Sequence, residues 1–182
     1  MRKPSSAAEP TLLGSPGPEV PAVAGADRAV SDWLAASLDN PAKAHREWDS
    51  GVALLRTGLT FDAIRIPAPV IHAAAASEDP DTVSAFLADN LNQGAVIHDA
   101  YTVGVSYYAL VPAGTHANWR TSGTPCLPPG TWLGVPHPSR TARPGPYWAL
   151  PPHSPGDLCT PLALVTLIAV GHIQLHQLSM PS

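Results

Sequence analysis

The chain has 182 residues, 45% of them hydrophobic, with 22 prolines and a formal net charge of −4. Its length suits one cored domain, and the small negative charge excludes bulk polyanion binding while leaving room for a local basic patch. Proline at about 12%, against a usual ~5%, places part of the chain in tails and loops.

Residues 1–26 are dominated by Pro, Gly, Ser and Ala, and Leu12 and Leu13 form the one apolar pair. They lack the basic start and continuous apolar stretch of a secretory leader. Such a segment cannot bury enough surface to offset its ordering entropy, so a disordered tail is expected, followed by a single domain over residues 27–178.

From Asp27, DRAVSDWLAASLDN places Val30, Trp33, Leu34 and Leu38 on one helical face, and Pro41 breaks the pattern. A second helix is expected from Pro41, tolerated in a first turn, to just before Gly51, with Ala44, His45 and Trp48 inward. GVALL and FDAIRI read as strands on either side of a turn at Gly58. Alternation sets Phe61, Ala63 and Arg65 against Ile64 and Ile66.

The clearest helix start is SEDPDTVSAFLADNL. Asp79 can cap, Pro80 fits the first position, and Asp81 adds a carboxylate where the helix dipole favours it. Val83, Phe86, Leu87 and Leu91 then make a core stripe. Asp79 and Asp81 have the spacing of a metal-binding pair, but capping accounts for both.

Beyond Gly94, the segments AVIH, VSYYALVP, TWLGVP and PYWALP read as short strands punctuated by Pro or Gly. The run Leu162 to Val170 has nine apolar residues, short of the ~20 that cross a bilayer, and reads as a buried helix or strand. Together these elements predict an α+β fold: one domain with helices packed on a small mixed or antiparallel sheet.

Candidate chemistry is sparse. No carboxylate lies between Ala100 and Gly156; Asp99 and Asp157 bracket the gap. A two-metal site would have to draw on Asp62, Asp99 or Asp157 from separate elements. His172 and His176 stand four apart without the glutamate of a zincin, and Cys126, Cys159, His137 and His153 fit no compact zinc spacing. No glycine-rich phosphate loop occurs, so neither metal nor cofactor is expected. Two cysteines without a leader read as free thiols in the cytoplasm, with no membrane partner.

The basic residues of the strand-rich half are Arg120, Arg140 and Arg143. Arginine forks suit phosphate oxygens, and Trp132 and Tyr147 could stack on a base. These five predict a weak, local site for an anion, a nucleotide or single-stranded nucleic acid. One alternative is a small enzyme using His98 and Asp99 at a strand end, although adjacent strand residues point oppositely. Another is a protein-interaction domain whose partner sits on the proline-edged strands.

TWLGVPHPSR, the turn TARPG and PYWALPP, preceded by VGVSYYALVPAG and GVALLRTGLTFDAIRIP, resemble in pattern the N-terminal domain of bifunctional DNA primase/polymerases. The arrangement is similar also to actinobacterial proteins rich in Ala and Pro. The resemblance covers about Gly51 to Pro152 and implies a nucleotide-shaped cleft. That family presents an Asp-x-Asp or Asp-x-Glu on one strand and a nucleotide-binding histidine on the next. Here Ser106, Tyr107 and Tyr108 occupy the histidine region and the late strands carry no acid. The resemblance therefore implies a non-catalytic accessory or regulatory domain that binds nucleotide or nucleic acid weakly.

Overall fold

A computed structural model describes residues 20–92, 94–100 and 104–180; residues 1–19 of the expected tail lie outside them. Helix α1 (Val20–Ala35) begins inside the segment that composition assigns to the tail, and α2 (Pro41–Trp48) follows as expected. His45 is a correction: it is exposed, 3.1 Å from Asp32, while Ala44 and Trp48 are buried.

Among the described residues, six short strands form two antiparallel sheets. Strands β1 (Val52–Arg56) and β5 (Trp132–Pro136) make a two-stranded ribbon. Strands β2 (Asp62–Pro67), β4 (Ser106–Val111), β3 (Ala95–Asp99) and β6 (Tyr147–Leu150) make a four-stranded sheet in that order. The α+β architecture holds, with both sheets antiparallel. β1 and β2 are consecutive in the chain yet belong to different sheets.

The reason lies in burial. β2 is covered on both faces: Ala63 joins the core under α1, α2 and the β1–β5 ribbon, while Ile64 and Ile66 join the core under three other helices. Those are α3 (Ala68–Ala75), α4 (Pro80–Leu91) and α5 (Pro161–Leu178). The four-stranded sheet is thus the middle of three layers. The outer edge of β2 is covered too. Arg65 donates its backbone N–H to Pro125 and Leu127 donates to Ala63, at 2.9 and 2.8 Å, so no open strand edge invites a second chain there.

α4 starts as its capping residues dictate: Asp79 accepts from the Thr82 amide at 2.9 Å. Val83, Leu87 and Leu91 are buried, with Phe86 packed at the margin. Helix α3 follows β2 directly, with Pro69 in its first turn; eight residues are too few for a legible periodicity.

The apolar run at the C-terminus is helical, and longer than its nine apolar residues indicate. α5 has 18 residues and is, among the described residues, the one helix long and apolar enough by length and composition to cross a bilayer. One face is nevertheless in the core through Leu164, Leu167, Ile168 and Gly171, packed along α3. A Cβ at Gly171 would collide with the Val70 carbonyl, so glycine sets how closely the two helices approach.

Candidate anion site

One register row of the sheet carries the unusual chemistry. Ile66 on β2 stands opposite Tyr107 on β4, Tyr107 opposite His98 on β3, and His98 opposite Tyr147 on β6. Alternation aims the row at the layer of α3, α4 and α5. His98 stacks on Tyr147 with centroids 4.7 Å apart and planes inclined by 28°, and meets Tyr107 edge-on at 5.1 Å. His72 comes from α3, its Nε2 3.1 Å from the Tyr107 hydroxyl. His98 is 2% exposed and its buried Nδ1 has no hydrogen-bond partner. A buried polar atom without a partner costs ~1–3 kcal/mol and calls for an explanation.

Burial is the main electrostatic influence on this row. It lowers the His72 pKa, with Glu78 opposing and Arg143 reinforcing the effect. It also lowers His98, with Arg143 and His72 adding to the effect. The same desolvation raises the Tyr107 and Tyr147 hydroxyls. Both imidazoles are therefore neutral and both phenols protonated at neutral pH. Arg143, exposed on the β5–β6 loop, acts electrostatically on all four groups, most directly on Tyr147. The arrangement offers a guanidinium fork, a half-buried imidazole and hydroxyls that donate or accept as required.

Of the five residues expected to bind an anion or nucleotide, Arg143 and Tyr147 come together here. Arg140 points elsewhere. It donates to the Pro144 carbonyl, packs on Gly51, and lines a cleft of about 720 Å³ with His45, Trp48 and His137. Trp132 is exposed on β5 under two cations, Lys43 at 4.9 Å and Arg56 at 5.5 Å from its ring centre. Arg120 curls onto its own loop, donating to the Trp119 and Ala117 carbonyls, beside Leu162 and Val165. The two-arginine loop is therefore not one site: its arginines serve different sides of the molecule. Tyr147 is 3% exposed with His98 on its ring, which leaves no open face for a base.

His98 and Asp99 also separate. His98 faces the helical layer, and the next residue on a strand turns to the opposite face. The acids do not converge either. Asp99 pairs with Ser106 at one end of the sheet and Asp62 with Val111 at the other, a span of roughly 17 Å at ~3.4 Å per residue. Asp62 is fully buried and accepts from His116, through Nδ1 at 2.8 Å and the backbone N–H at 3.0 Å. Asp157 clasps two loops, accepting from the Gly94 and His153 amides at 2.7 and 2.9 Å. Among the described residues no three His, Cys, Asp or Glu side chains could share a metal. Burial pushes the thiols of Cys126 and Cys159 up to about 11 and about 12, which keeps both protonated.

Sequence reasoning missed His72, because α3 has no legible pattern, and Tyr107 as a partner of His98. Only strand register joins those residues. No family model, curated protein or solved structure matches the chain.

Proposed function

We propose that this chain is a non-catalytic, primase/polymerase-like accessory domain of the cytoplasm that binds a phosphate-bearing ligand weakly through Arg143, His72 and the Tyr107–His98–Tyr147 row. The observation that carries the reading is the unpartnered Nδ1 of His98, kept inside a layer of tyrosines and within the electrostatic reach of the exposed Arg143. Natural cores rarely retain such an atom, and a bound ligand, ion or water is what usually satisfies it.

Calorimetric titration with AMP and with inorganic phosphate at low salt tests the reading. Arg143→Ala should weaken binding about tenfold, the worth of one charge-assisted hydrogen bond, and added salt should weaken it further. Arg140→Ala, on the other side of the loop, should bind as the parent does. Equal affinities in parent and Arg143→Ala would discard the site.

A second reading, a protein-interaction domain, is favoured by the outer face of α5. Leu162 and Ile173 are 74% and 58% exposed there, and Leu162 lies beside the Trp119–Arg120 loop. Leu162→Glu with Ile173→Glu should leave the melting temperature unchanged while abolishing association with any partner that uses this face; a partner retained by the variant would discard the reading.

A further inference from the structure

We propose that the outer face of the β1–β5 ribbon binds short single-stranded nucleic acid, with a base on Trp132 and the neighbouring phosphates on Lys43 and Arg56. This surface is separate from the Tyr107–His98–Tyr147 row, which lies on the four-stranded sheet, and does not depend on it.

Alternation and register build the face. Ala53, Leu55, Leu133 and Val135 point into the core, so Leu54 and Arg56 of β1 and Trp132 and Gly134 of β5 point outward. Arg56 stands opposite Trp132, and Leu54 opposite Gly134. Trp132 is 52% exposed and Leu54 49%, with both cations in place. The fold does not impose glycine at position 134. Its φ is not positive, and a Cβ there would meet the Val52 side chain at 3.4 Å, an ordinary contact. The bare backbone leaves the strip beside the indole open, and a glycine inside a strand often marks such a close approach.

Charge decides the occupant. Lys43 Nζ lies 4.9 Å and the Arg56 guanidinium carbon 5.5 Å from the centre of the same ring. Each is drawn to the ring, yet the two repel one another, and a phosphate beside them relieves that repulsion. Glu47 holds Lys43 at 3.5 Å, but among the described residues no carboxylate pairs with Arg56. The other Glu47 oxygen accepts from the Leu54 amide at 2.8 Å. That bond occupies a donor on the outer edge of β1, so the ribbon offers a partner its face and not its edge. An indole beside two cations matches a base with its phosphates; an acidic peptide would satisfy the cations and leave the ring unused. The base must be unpaired to lie on the ring, hence a single strand. The net charge of −4 confines the contact to a short, salt-sensitive one.

The test is fluorescence anisotropy of a short labelled oligothymidylate titrated with the full chain over a series of salt concentrations. Trp132→Ala should weaken binding about tenfold or more, the worth of one stacked base, and Trp132→Phe, which keeps a ring, should recover part of that loss. The logarithm of the affinity should fall against the logarithm of salt with a slope of about −1.4, for two phosphates on a single strand. Lys43→Gln and Arg56→Gln should each reduce the size of that slope by ~0.7. Arg28→Gln should bind as the parent does, because Arg28 lies on α1 near His137, past the far end of β5. Unchanged affinity in Trp132→Ala, or no oligonucleotide binding at low salt, would overturn the proposal. Oligoglutamate that displaces the oligonucleotide at equal concentration would also overturn it and assign the face to acidic peptides.

Discussion

His116 closes onto Asp62 across 54 residues of chain, placing its Nδ1 2.8 Å and its backbone N–H 3.0 Å from the same carboxylate oxygen. The other oxygen, Oδ1, is buried without a partner, and Asp62 has no exposed surface. The pair fastens the loop that leaves β4 to the start of β2. A buried carboxylate that loses its partner is strongly destabilising. His116→Ala should therefore cost about 3 kcal/mol in urea unfolding at pH 7, and Asp62→Leu combined with His116→Ala should recover part of it. A loss below about 0.5 kcal/mol would mean that water already serves Asp62.

Gly171→Ala reverses the usual helix rule. Alanine is ordinarily better than glycine inside a helix by ~1 kcal/mol. Here its Cβ would meet the Val70 carbonyl, and backbone cannot swing aside as a side chain can. The variant should lose about 1–3 kcal/mol, the range for an overpacked core. A raised melting temperature would show that α3 and α5 can slide apart freely.

Stability should fall on acidification through His72 and His98. Burial lowers both imidazoles in the folded state, so the unfolded chain binds protons more readily. Their contribution is complete above the unfolded pKa of ~6.5 and is lost as pH drops below it towards the folded values. His98→Phe removes one titrating group and the unpartnered nitrogen together. It should flatten the drop in melting temperature between pH 7.5 and pH 5.5 without lowering the value at pH 7.5. An unchanged slope would mean that His98 does not contribute to it.

Primer extension with Mg²⁺ or Mn²⁺ should not occur. Asp62 and Asp99 stand at opposite ends of the sheet, and Asp157 is bound to two backbone amides. Metal-dependent extension abolished by Asp62→Asn or Asp99→Asn would show that the acids gather in a state other than this one.

Local chemistry made part of the fold legible. Asp79 and Pro80 mark the start of α4, and Pro41 that of α2, because capping and proline geometry act within one helical turn. The strands β3, β4, β5 and β6 were readable from short apolar runs closed by Pro or Gly. α3 was not, because eight residues of APVIHAAA owe their helix to packing against α5 rather than to a pattern of their own.

The candidate site divides in the same way. Composition and spacing alone determined that this chain lacks a clustered acidic motif and a phosphate loop, and that the basic residues of its strand-rich half are Arg120, Arg140 and Arg143. Tertiary structure decided where those groups act. It sent Arg140 to Gly51 and Arg143 to Tyr147, although they are three residues apart. It set His98 against two tyrosines from strands that neighbour it only through register. Alternation fixes which residues share a face within a strand, but cross-strand neighbours depend on pairing order and register, which are settled by burying both faces of the sheet at once.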